Sequence, residues 1–289
     1  MRAVFQWSLG TRTLELGKRT LIMGIVNVTP DSFYDGGLYL DSDKATGHAI
    51  QLLDQGADII DVGGESTRPG THVAVPVEEE SQRVLPVITA IKKARPDAVI
   101  SVDTYKASVA RAAVAAGAEI VNDVSGFRWD REMARTIAEL KCGAILMHMR
   151  GRPEEWRSLP PPGDVVLLVR RELREWLETA VRLGMRRERI ALDPGFGFGK
   201  NFEQNYPLLA HFQDFQSLGF PLVAGTSRKS FIGRMLAKDG KDVDAPDRLY
   251  GNLAAHTILI LKGAHILRTH DVKAAVDAAR VADTILAAH

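Results

Sequence analysis

Residues 98–121 read AVISVDTYKASVARAAVAAGAEIV and contain a complete strand–helix–strand unit. An apolar run, Ala98–Val102, is followed by an amphipathic stretch, Lys106–Ala116, that stops at Gly117, and then by a second run, Glu119–Val121. Runs that are apolar on both faces are typical of strands buried in a parallel sheet. A glycine directly after the last helical residue favours termination of the helix there.

The same unit recurs along the chain, because eight apolar runs alternate with stretches of helical spacing. Eight parallel strands joined by helices favour closure into a (β/α)8 TIM barrel over an open, doubly wound α/β sheet. The predicted strands are Leu21–Val26, Asp58–Val62, Ala98–Val102, Glu119–Val121, Ala144–Met147, Ile190–Leu192, Pro221–Ala224 and His265–Leu267. The predicted helices are Asp41–Gln55, Val77–Ala94, Lys106–Ala116, Asp130–Leu140, Asp164–Leu183, Phe202–Phe212, Lys229–Ala237, Pro246–Leu261 and Asp271–Ala288.

Ahead of the first barrel strand the sequence predicts a short β-hairpin. Val4–Trp7 and Thr13–Leu16 are strand-like and flank Gly10, and we expect this hairpin to plug the bottom of the barrel. Barrels of about 250 residues are commonly one domain. The sequence has no linker-like stretch, internal repeat or low-complexity tract, so residues 1–289 are expected to form a single barrel domain.

Composition argues against several classes of protein. The 37 basic and 36 acidic residues leave a net charge of +1, without the clustered basic excess of nucleic-acid-binding proteins. The single cysteine, Cys142, allows neither an intrachain disulfide nor a cysteine-based metal site. No apolar run approaches the roughly 18 residues needed to span a membrane, and the N-terminus lacks a signal-peptide core. We therefore expect a cytoplasmic protein without nucleic-acid or membrane partners.

Polar residues follow every one of the eight predicted strands. Taken alone, such a residue is more often a helix cap or turn residue: Asp103 suits the start of the next helix, and Asp123 a turn before Gly126. Taken together they indicate a site, because the loops after barrel strands converge at the C-terminal mouth and unpaired buried polar groups are costly. In strand order, these residues are Asn27; Glu65, Thr67 and Arg68; Asp103; Asn122 and Asp123; His148; Asp193; Ser227, Arg228 and Lys229; and Arg268 and His270.

Two groups of polar and cationic residues predict an anion site. Arg268 and His270 lie two positions apart, so in an extended segment they face the same side, and barrels often bind phosphate around the seventh and eighth strands. A surface ion pair between His270 and Asp271 is the structural alternative. Ser227 and Lys229 stand where the next helix begins, and a helix N-terminus favours anions.

Three loops are distinctive. DPGFGFGK (residues 193–200) lacks the spacing of a Walker A phosphate loop, and its interleaved phenylalanines instead predict aromatic faces that stack on a planar ligand. Val28–Leu40 and Gly63–Pro76 are long for barrel loops, and long irregular loops are usually functional or disordered. We expect these two to close over a substrate.

These motifs, taken in order, resemble those of the dihydropteroate synthases. GIVNVTPDSF (24–33) with DGG (35–37) resembles the first signature of that family, and DVGGESTRPG (61–70) resembles the second. The resemblance extends from about Leu21 to the end of the chain. It continues through SVDT (101–104), ND (122–123), LMHM (146–149), DPGFGFGK (193–200), SRKS (227–230) and RTHD (268–271).

The resemblance implies a role for each group of residues. Asp103, Asn122, Asp193 and Lys229 would hold the pterin, whose ring offers donors and acceptors that carboxylates, an amide and an ammonium group can pair. Asn27 would bind Mg2+ together with the pyrophosphate of the substrate. The implied catalytic residues are Asp103, Lys229, Arg268 and His270. The remaining implied substrate contacts are Phe33, Thr67, Arg68, Pro69, Met147, Phe198 and Ser227.

The resemblance also implies the reaction: condensation of a dihydropterin pyrophosphate with p-aminobenzoate, in which pyrophosphate leaves before the arylamine attacks. A methyltetrahydrofolate-binding methyltransferase barrel and a non-catalytic pterin-binding paralogue are the alternatives. The first of these would need a corrinoid partner but no pyrophosphate or arylamine site. A homodimer is implied as well, through the apolar faces of the last helices, Ala254–Leu261 and Val276–Leu286.

Overall fold

The computed structural model describes residues 2–28, 38–66 and 74–288 of the chain. The strands are β1 Phe5–Ser8, β2 Thr13–Leu16, β3 Leu21–Asn27, β4 Ile59–Gly63, β5 Val99–Asp103, β6 Ile120–Asp123, β7 Gly143–Met147, β8 Ile190–Asp193, β9 Val223–Ala224 and β10 Ile266–Thr269. The α-helices within these residues are α1 Leu38–Asp54, α2 Val77–Ala94, α3 Ala107–Ala115, α4 Met133–Leu140, α5 Val165–Arg182, α6 Asn205–Ala210, α7 Ser230–Met235, α8 Leu249–Leu261 and α9 Val272–Ala287.

Strands β3 to β10 form a parallel barrel. Their order in the sheet is β8-β7-β6-β5-β4-β3-β10-β9. A parallel bridge between Leu192 and Leu222, with a 2.9 Å hydrogen bond from Leu192 N to Pro221 O, joins β8 to the segment that enters β9 and closes the ring. The prediction of a (β/α)8 barrel is therefore confirmed.

The N-terminal hairpin, β1 paired antiparallel with β2, closes the bottom of this barrel as predicted. Trp7, Leu9 and Leu16 are almost completely buried and pack against the inward apolar side chains at the start of the barrel strands. The indole Nε1 of Trp7 donates a 2.9 Å hydrogen bond to Arg189 O, directly before β8. This contact ties the hairpin to the barrel wall, and it satisfies the polar atom of an otherwise apolar plug.

The helices follow the predicted ranges with two informative differences. Helix α4 begins at Met133 rather than Asp130, because the Asp130 carboxylate accepts hydrogen bonds from Ala107 N (2.8 Å) and Glu132 N (3.0 Å). Within the predicted helix Phe202–Phe212 only α6 is α-helical, and a 3-10 helix, Phe212–Leu218, follows it. None of the helices within residues 2–28, 38–66 and 74–288 is long and apolar enough to cross a membrane.

Candidate active site

On five of the eight barrel strands, the side chains that point into the barrel change from apolar to polar within one step of strand alternation. The exceptions are Ile25 on β3, Met147 on β7 and Gly225 after β9. Near the hairpin the inward positions are Ile59, Val99, Ile120, Ile145, Ala191, Val223 and Ile266. Because every second residue of a strand shares a face, the next inward positions toward the mouth are Asp61, Ser101, Asn122, Met147, Asp193, Gly225 and Arg268. The polar layer at the C-terminal mouth therefore stands directly on the apolar core.

Arg268, on β10, connects two carboxylates across the mouth. Its Nε donates to Asp61 Oδ2 at 2.6 Å and its Nη2 to Asp103 Oδ2 at 2.7 Å. The amide of Asn122 donates to the same Asp61 Oδ2 at 3.1 Å. The structure thus brings together Asp103, Asn122 and Arg268, three residues that the sequence assigned to one site.

Burial dominates the protonation of Asp103. Removal from water raises the pKa of its carboxyl to about 7, while the guanidinium of Arg268 opposes this rise and the neighbouring Asp61 adds to it. A carboxyl group with such a pKa exchanges its proton near neutral pH, which is typical of functional sites.

Asp193 and Lys229 lie on the adjoining part of the mouth. The carboxylate of Asp193 accepts a 2.7 Å hydrogen bond from Gly195 N, and Lys229 Nζ donates to Phe196 O and lies 4.5 Å from the centroid of the Phe198 ring. Burial lowers the pKa of Lys229 to about 7 although the charge of Asp193 opposes that shift. Burial also raises the pKa of Asp193, against the attraction of Lys229.

Ser227 and His270 meet beside this group. Ser227 Oγ lies 3.0 Å from His270 Nδ1 and accepts a 3.1 Å hydrogen bond from His270 N. Asp271, the alternative partner for His270, pairs with Arg228 at 2.6 Å. The chain after β9 and the chain after β10 are therefore joined through the serine hydroxyl.

Met147 and Phe198 form part of an apolar wall of the mouth. Met147 clusters with Val124 and Met149, and Phe198 packs against this cluster. The same cluster contacts three further aromatic side chains, Tyr105, Trp129 and Trp156. Phe198 meets Trp156 edge to face at 5.9 Å between ring centroids.

Two members of the predicted polar ring have other roles. Asp123 is fully buried, and its oxygens accept hydrogen bonds from Ser125 N (2.6 Å) and Phe127 N (3.2 Å), which is the turn-capping role. His148 is also fully buried, with Nε2 at 3.0 Å from Glu172 Oε2 on α5. Both follow an inward-pointing residue directly, so strand alternation turns them toward the helices.

Lys200 explains why the glycine loop is not a phosphate loop. Its ammonium group is buried and donates to three carbonyl oxygens, those of His148 (3.2 Å), Gly195 (2.7 Å) and Phe198 (3.1 Å). Burial lowers the pKa of Lys200 well below its usual value. This lysine holds the loop in shape, and the rejection of a Walker A motif is consistent with that geometry.

Asp61 is the residue that the sequence reasoning missed. It is fully buried and accepts from both Arg268 and Asn122, yet the sequence placed it in an apolar strand and at the start of the second family signature without giving it a role. The available signal was its place two residues after the inward Ile59, since a carboxylate on the inner face of a barrel strand needs a partner.

Comparison with known proteins agrees with this geometry. The family described as "Pterin binding enzyme" matches residues 23–270. The dihydropteroate synthase of Clostridium beijerinckii is 43% identical over 96% of this chain and 98% of its own length. A dihydropteroate synthase of Xanthomonas albilineans, solved with 4-aminobenzoic acid, superposes with a TM-score of 0.89 at 43% identity and covers 99% of both chains. The chain belongs to the dihydropteroate synthase family.

Four of the residues that resembled dihydropteroate synthase substrate contacts lie outside the described residues: Phe33, Thr67, Arg68 and Pro69. Large parts of the two long loops, Val28–Leu40 and Gly63–Pro76, lie there as well. Their roles at the arylamine site, and the closing of the loops, remain predictions.

Asn27 offers a chemically suitable ligand for the Mg2+ that the dihydropteroate synthase resemblance implies. It ends β3 at the mouth, in register with Gly63 of β4, and is partly exposed. Within residues 2–28, 38–66 and 74–288, no group of three or more His, Cys, Asp or Glu side chains could hold a metal ion. An amide oxygen completed by phosphate and water oxygens suits Mg2+, which keeps several waters in most protein sites.

Proposed function

We propose that this chain condenses 6-hydroxymethyl-7,8-dihydropterin pyrophosphate with p-aminobenzoate to give 7,8-dihydropteroate and pyrophosphate. The observation that carries the proposal is the inner layer of the mouth. Asp103, Asn122, Asp193 and Lys229 converge there beside Arg268. The relatives that share this fold are dihydropteroate synthases. One of them, from Xanthomonas albilineans, is solved in complex with 7,8-dihydropteroate.

The inner layer fits the edge of a pterin. An aminopyrimidinone ring presents adjacent donors and acceptors, which two carboxylates, an amide and an ammonium group can match in pairs. Lys229 lies over the Phe198 ring, so a planar ligand near Lys229 would also meet an aromatic face. Asp103 and Asp193 then serve as acceptors for the ring N–H groups.

The reaction proceeds by departure of pyrophosphate before attack of the arylamine. The bond from the exocyclic methylene carbon to the bridging oxygen breaks, its electron pair leaves with pyrophosphate, and a cation remains delocalised over the pterin. Arg268 and His270 stabilise the charge that develops on the leaving group, and the buried carboxylates stabilise the cation. When bound at Asn27, Mg2+ would supply further neutralisation of the pyrophosphate.

The lone pair of the arylamine nitrogen then forms the bond to the methylene carbon, and the nitrogen gives its extra proton to the released pyrophosphate or to solvent. Phe198 and Ser227 flank Lys229 at the mouth, and we place the arylamine beside them. The Xanthomonas albilineans enzyme solved with 4-aminobenzoic acid supports an arylamine as the second substrate.

The experiment mixes purified protein with the dihydropterin pyrophosphate, p-aminobenzoate and Mg2+ and identifies the product by mass spectrometry. Formation of dihydropteroate with one equivalent of pyrophosphate supports the proposal. Binding of the pterin without any product points to a non-catalytic paralogue. Methyl transfer from methyltetrahydrofolate to a corrinoid protein would instead indicate a methyltransferase.

We also propose a homodimer through the outer faces of α8 and α9. Ile258 and Leu261 on α8 and Val281 and Ile285 on α9 are exposed apolar side chains on two helices that pack side by side. Burial of such side chains between two copies is favourable. Sedimentation should give a dimer for the wild type and a monomer for Val281→Asp combined with Ile285→Asp. A monomeric wild type would refute the dimer.

A further inference from the structure

The two carboxylate oxygens of Asp61, which is fully buried, have different surroundings. Oδ2 accepts hydrogen bonds from both Arg268 Nε and Asn122 Nδ2, at 2.6 and 3.1 Å. Oδ1 is buried without a hydrogen-bond partner in the part of the chain that the structure describes. The main contacts of this carboxylate are therefore with the side chains of Arg268 and Asn122, which it holds in place.

The position of Asp61 in its strand separates it from the residues assigned to the pterin. Asp61 pairs in register with Ser101, and Asp103 lies one inward step closer to the mouth on the neighbouring strand. Side chains on successive inward positions form successive layers in a barrel. Asp61 therefore lies below Asp103, under the guanidinium of Arg268.

The guanidinium of Arg268 is held at two points that differ in depth. The Nε side is fixed to the deeper Asp61 and the Nη2 side to the shallower Asp103. A pterin that uses Asp103 as an acceptor competes with Nη2 for Oδ2. A pyrophosphate attracts the same Nη groups, because a guanidinium presents a planar fork to phosphate.

We propose that Asp61 is a positioning residue that acts as the pivot of Arg268. It keeps Nε in place while Nη2 moves from Asp103 to the pyrophosphate of the substrate. This inference rests on the proposed function and deepens it, because it links the pterin and pyrophosphate halves of the site. The pyrophosphate withdraws the guanidinium from Asp103, and Asp103 becomes available to the pterin.

The pivot has a thermodynamic consequence. If each ligand half favours the same displacement of Nη2, pyrophosphate strengthens pterin binding, and the pterin strengthens pyrophosphate binding by the same factor. We expect a coupling of about tenfold, within the usual range for linked sites. If the pterin and the pyrophosphate bound independently, neither would change the affinity of the other.

The test is calorimetric titration with 6-methylpterin, which carries neither the hydroxyl nor the pyrophosphate, with and without pyrophosphate and Mg2+. In the wild type, pyrophosphate should lower the Kd of 6-methylpterin about tenfold. In Asp61→Asn, which keeps the side-chain shape but removes the charge, the factor should fall below about twofold. Arg268→Lys keeps the charge but has no Nε, and it should also lose the coupling.

Ser101→Ala is the matched control. Ser101 Oγ lies in the same layer as Asp61 and is buried without a partner in the described residues, so its removal should leave the coupling at the wild-type value. Thermal unfolding establishes that each variant is folded before titration.

Two results would overturn the pivot: wild-type coupling in Asp61→Asn, or no coupling in the wild type. Neither touches the proposed function, which is decided separately by whether the wild type forms dihydropteroate.

Discussion

Arg268 Nη2 donates a 2.7 Å hydrogen bond to Asp103 Oδ2, so the residue expected to bind pyrophosphate is paired with a residue expected to bind the pterin. The two side chains lie on β10 and β5, far apart in the sequence, and meet because β10 pairs with β3, which leaves only β3 and β4 between them in the curved sheet. The charge of each side chain therefore affects the other. The pterin and the pyrophosphate of the substrate both compete with the hydrogen bond between Arg268 and Asp103.

Replacing Arg268 by alanine should chiefly weaken pyrophosphate binding. The guanidinium pairs with both Asp61 and Asp103, and a charge-assisted contact to phosphate contributes about 1.5–3 kcal/mol, or roughly 10- to 100-fold in affinity. Calorimetry with pyrophosphate and Mg2+ measures the loss. Unchanged affinity would contradict the assignment of Arg268.

The same variant should unfold more readily. Asp61 is fully buried, and removal of its cationic partner leaves an uncompensated charge, which costs about 3–5 kcal/mol. Urea denaturation checks this expectation.

Replacing Lys229 by alanine should reduce pterin affinity by roughly 10- to 100-fold while the barrel still folds. The reason is loss of a charged donor at the edge of the inner layer, next to Asp193. Asp103→Asn should weaken pterin binding to a similar extent. Lys238→Ala, at an exposed lysine outside the mouth, is the control and should bind like the wild type. Wild-type pterin affinity in Lys229→Ala or Asp103→Asn would contradict the assignment of that residue to the pterin pocket.

Pterin affinity should have a maximum near pH 7. Burial raises the pKa of Asp103 to about 7, so this carboxyl gains its charge as the pH rises through that value. Burial lowers the pKa of Lys229 to about 7, so the ammonium loses its charge over the same interval. The acidic limb reports Asp103 together with Asp193, whose pKa burial also raises, and the alkaline limb reports Lys229.

Fluorescence titration of 6-methylpterin between pH 5 and 9 gives the profile. In Asp103→Asn the acidic limb should become shallower, because only Asp193 then contributes to it, and the alkaline limb should remain. A flat wild-type profile would contradict the assignment of these two groups.

Gly195→Ala should destabilise the protein and deform the loop that carries Phe198. Gly195 has φ +68°, and an added Cβ would lie 1.9 Å from His148 O. A left-handed residue with a side chain costs about 1–2 kcal/mol before any clash, so we expect a loss above about 2 kcal/mol.

Gly47→Ala provides the opposite case for comparison. Gly47 lies in α1 with no atom within 4 Å of an added Cβ, and alanine there should stabilise the protein by about 0.5–1 kcal/mol. Urea denaturation compares the two variants. Equal stability would show that the loop backbone relaxes freely.

The strands of the barrel could be predicted to within two residues of their ends because most residues of each strand are apolar. Asp123 and His148 were predicted to belong to the polar ring because each stands at the end of a strand or directly after it. The side of the strand to which each side chain points was not considered. Alternation from the inward Asn122 and Met147 turns both toward the helices, where they bond to a turn and to Glu172. That outcome was within reach of the sequence.

Contacts that cross the barrel lay beyond such reasoning. Asp61 and Arg268 are brought together because β4 and β10 both pair with β3, and no local pattern encodes the pairing of the last strand with the first strand of the barrel. The shortening of the predicted helix Phe202–Phe212 to α6 also depends on tertiary packing. Phe212 and Phe215 are buried, and Phe212 stacks on Phe196 at 6.2 Å between centroids.

The most direct test of the central claim is the release of pyrophosphate from the dihydropterin pyrophosphate by the wild-type protein with Mg2+, measured with and without p-aminobenzoate. We expect release at one equivalent per dihydropteroate formed, and a rate that depends on the arylamine. Binding of the pterin without arylamine-dependent release would contradict the account.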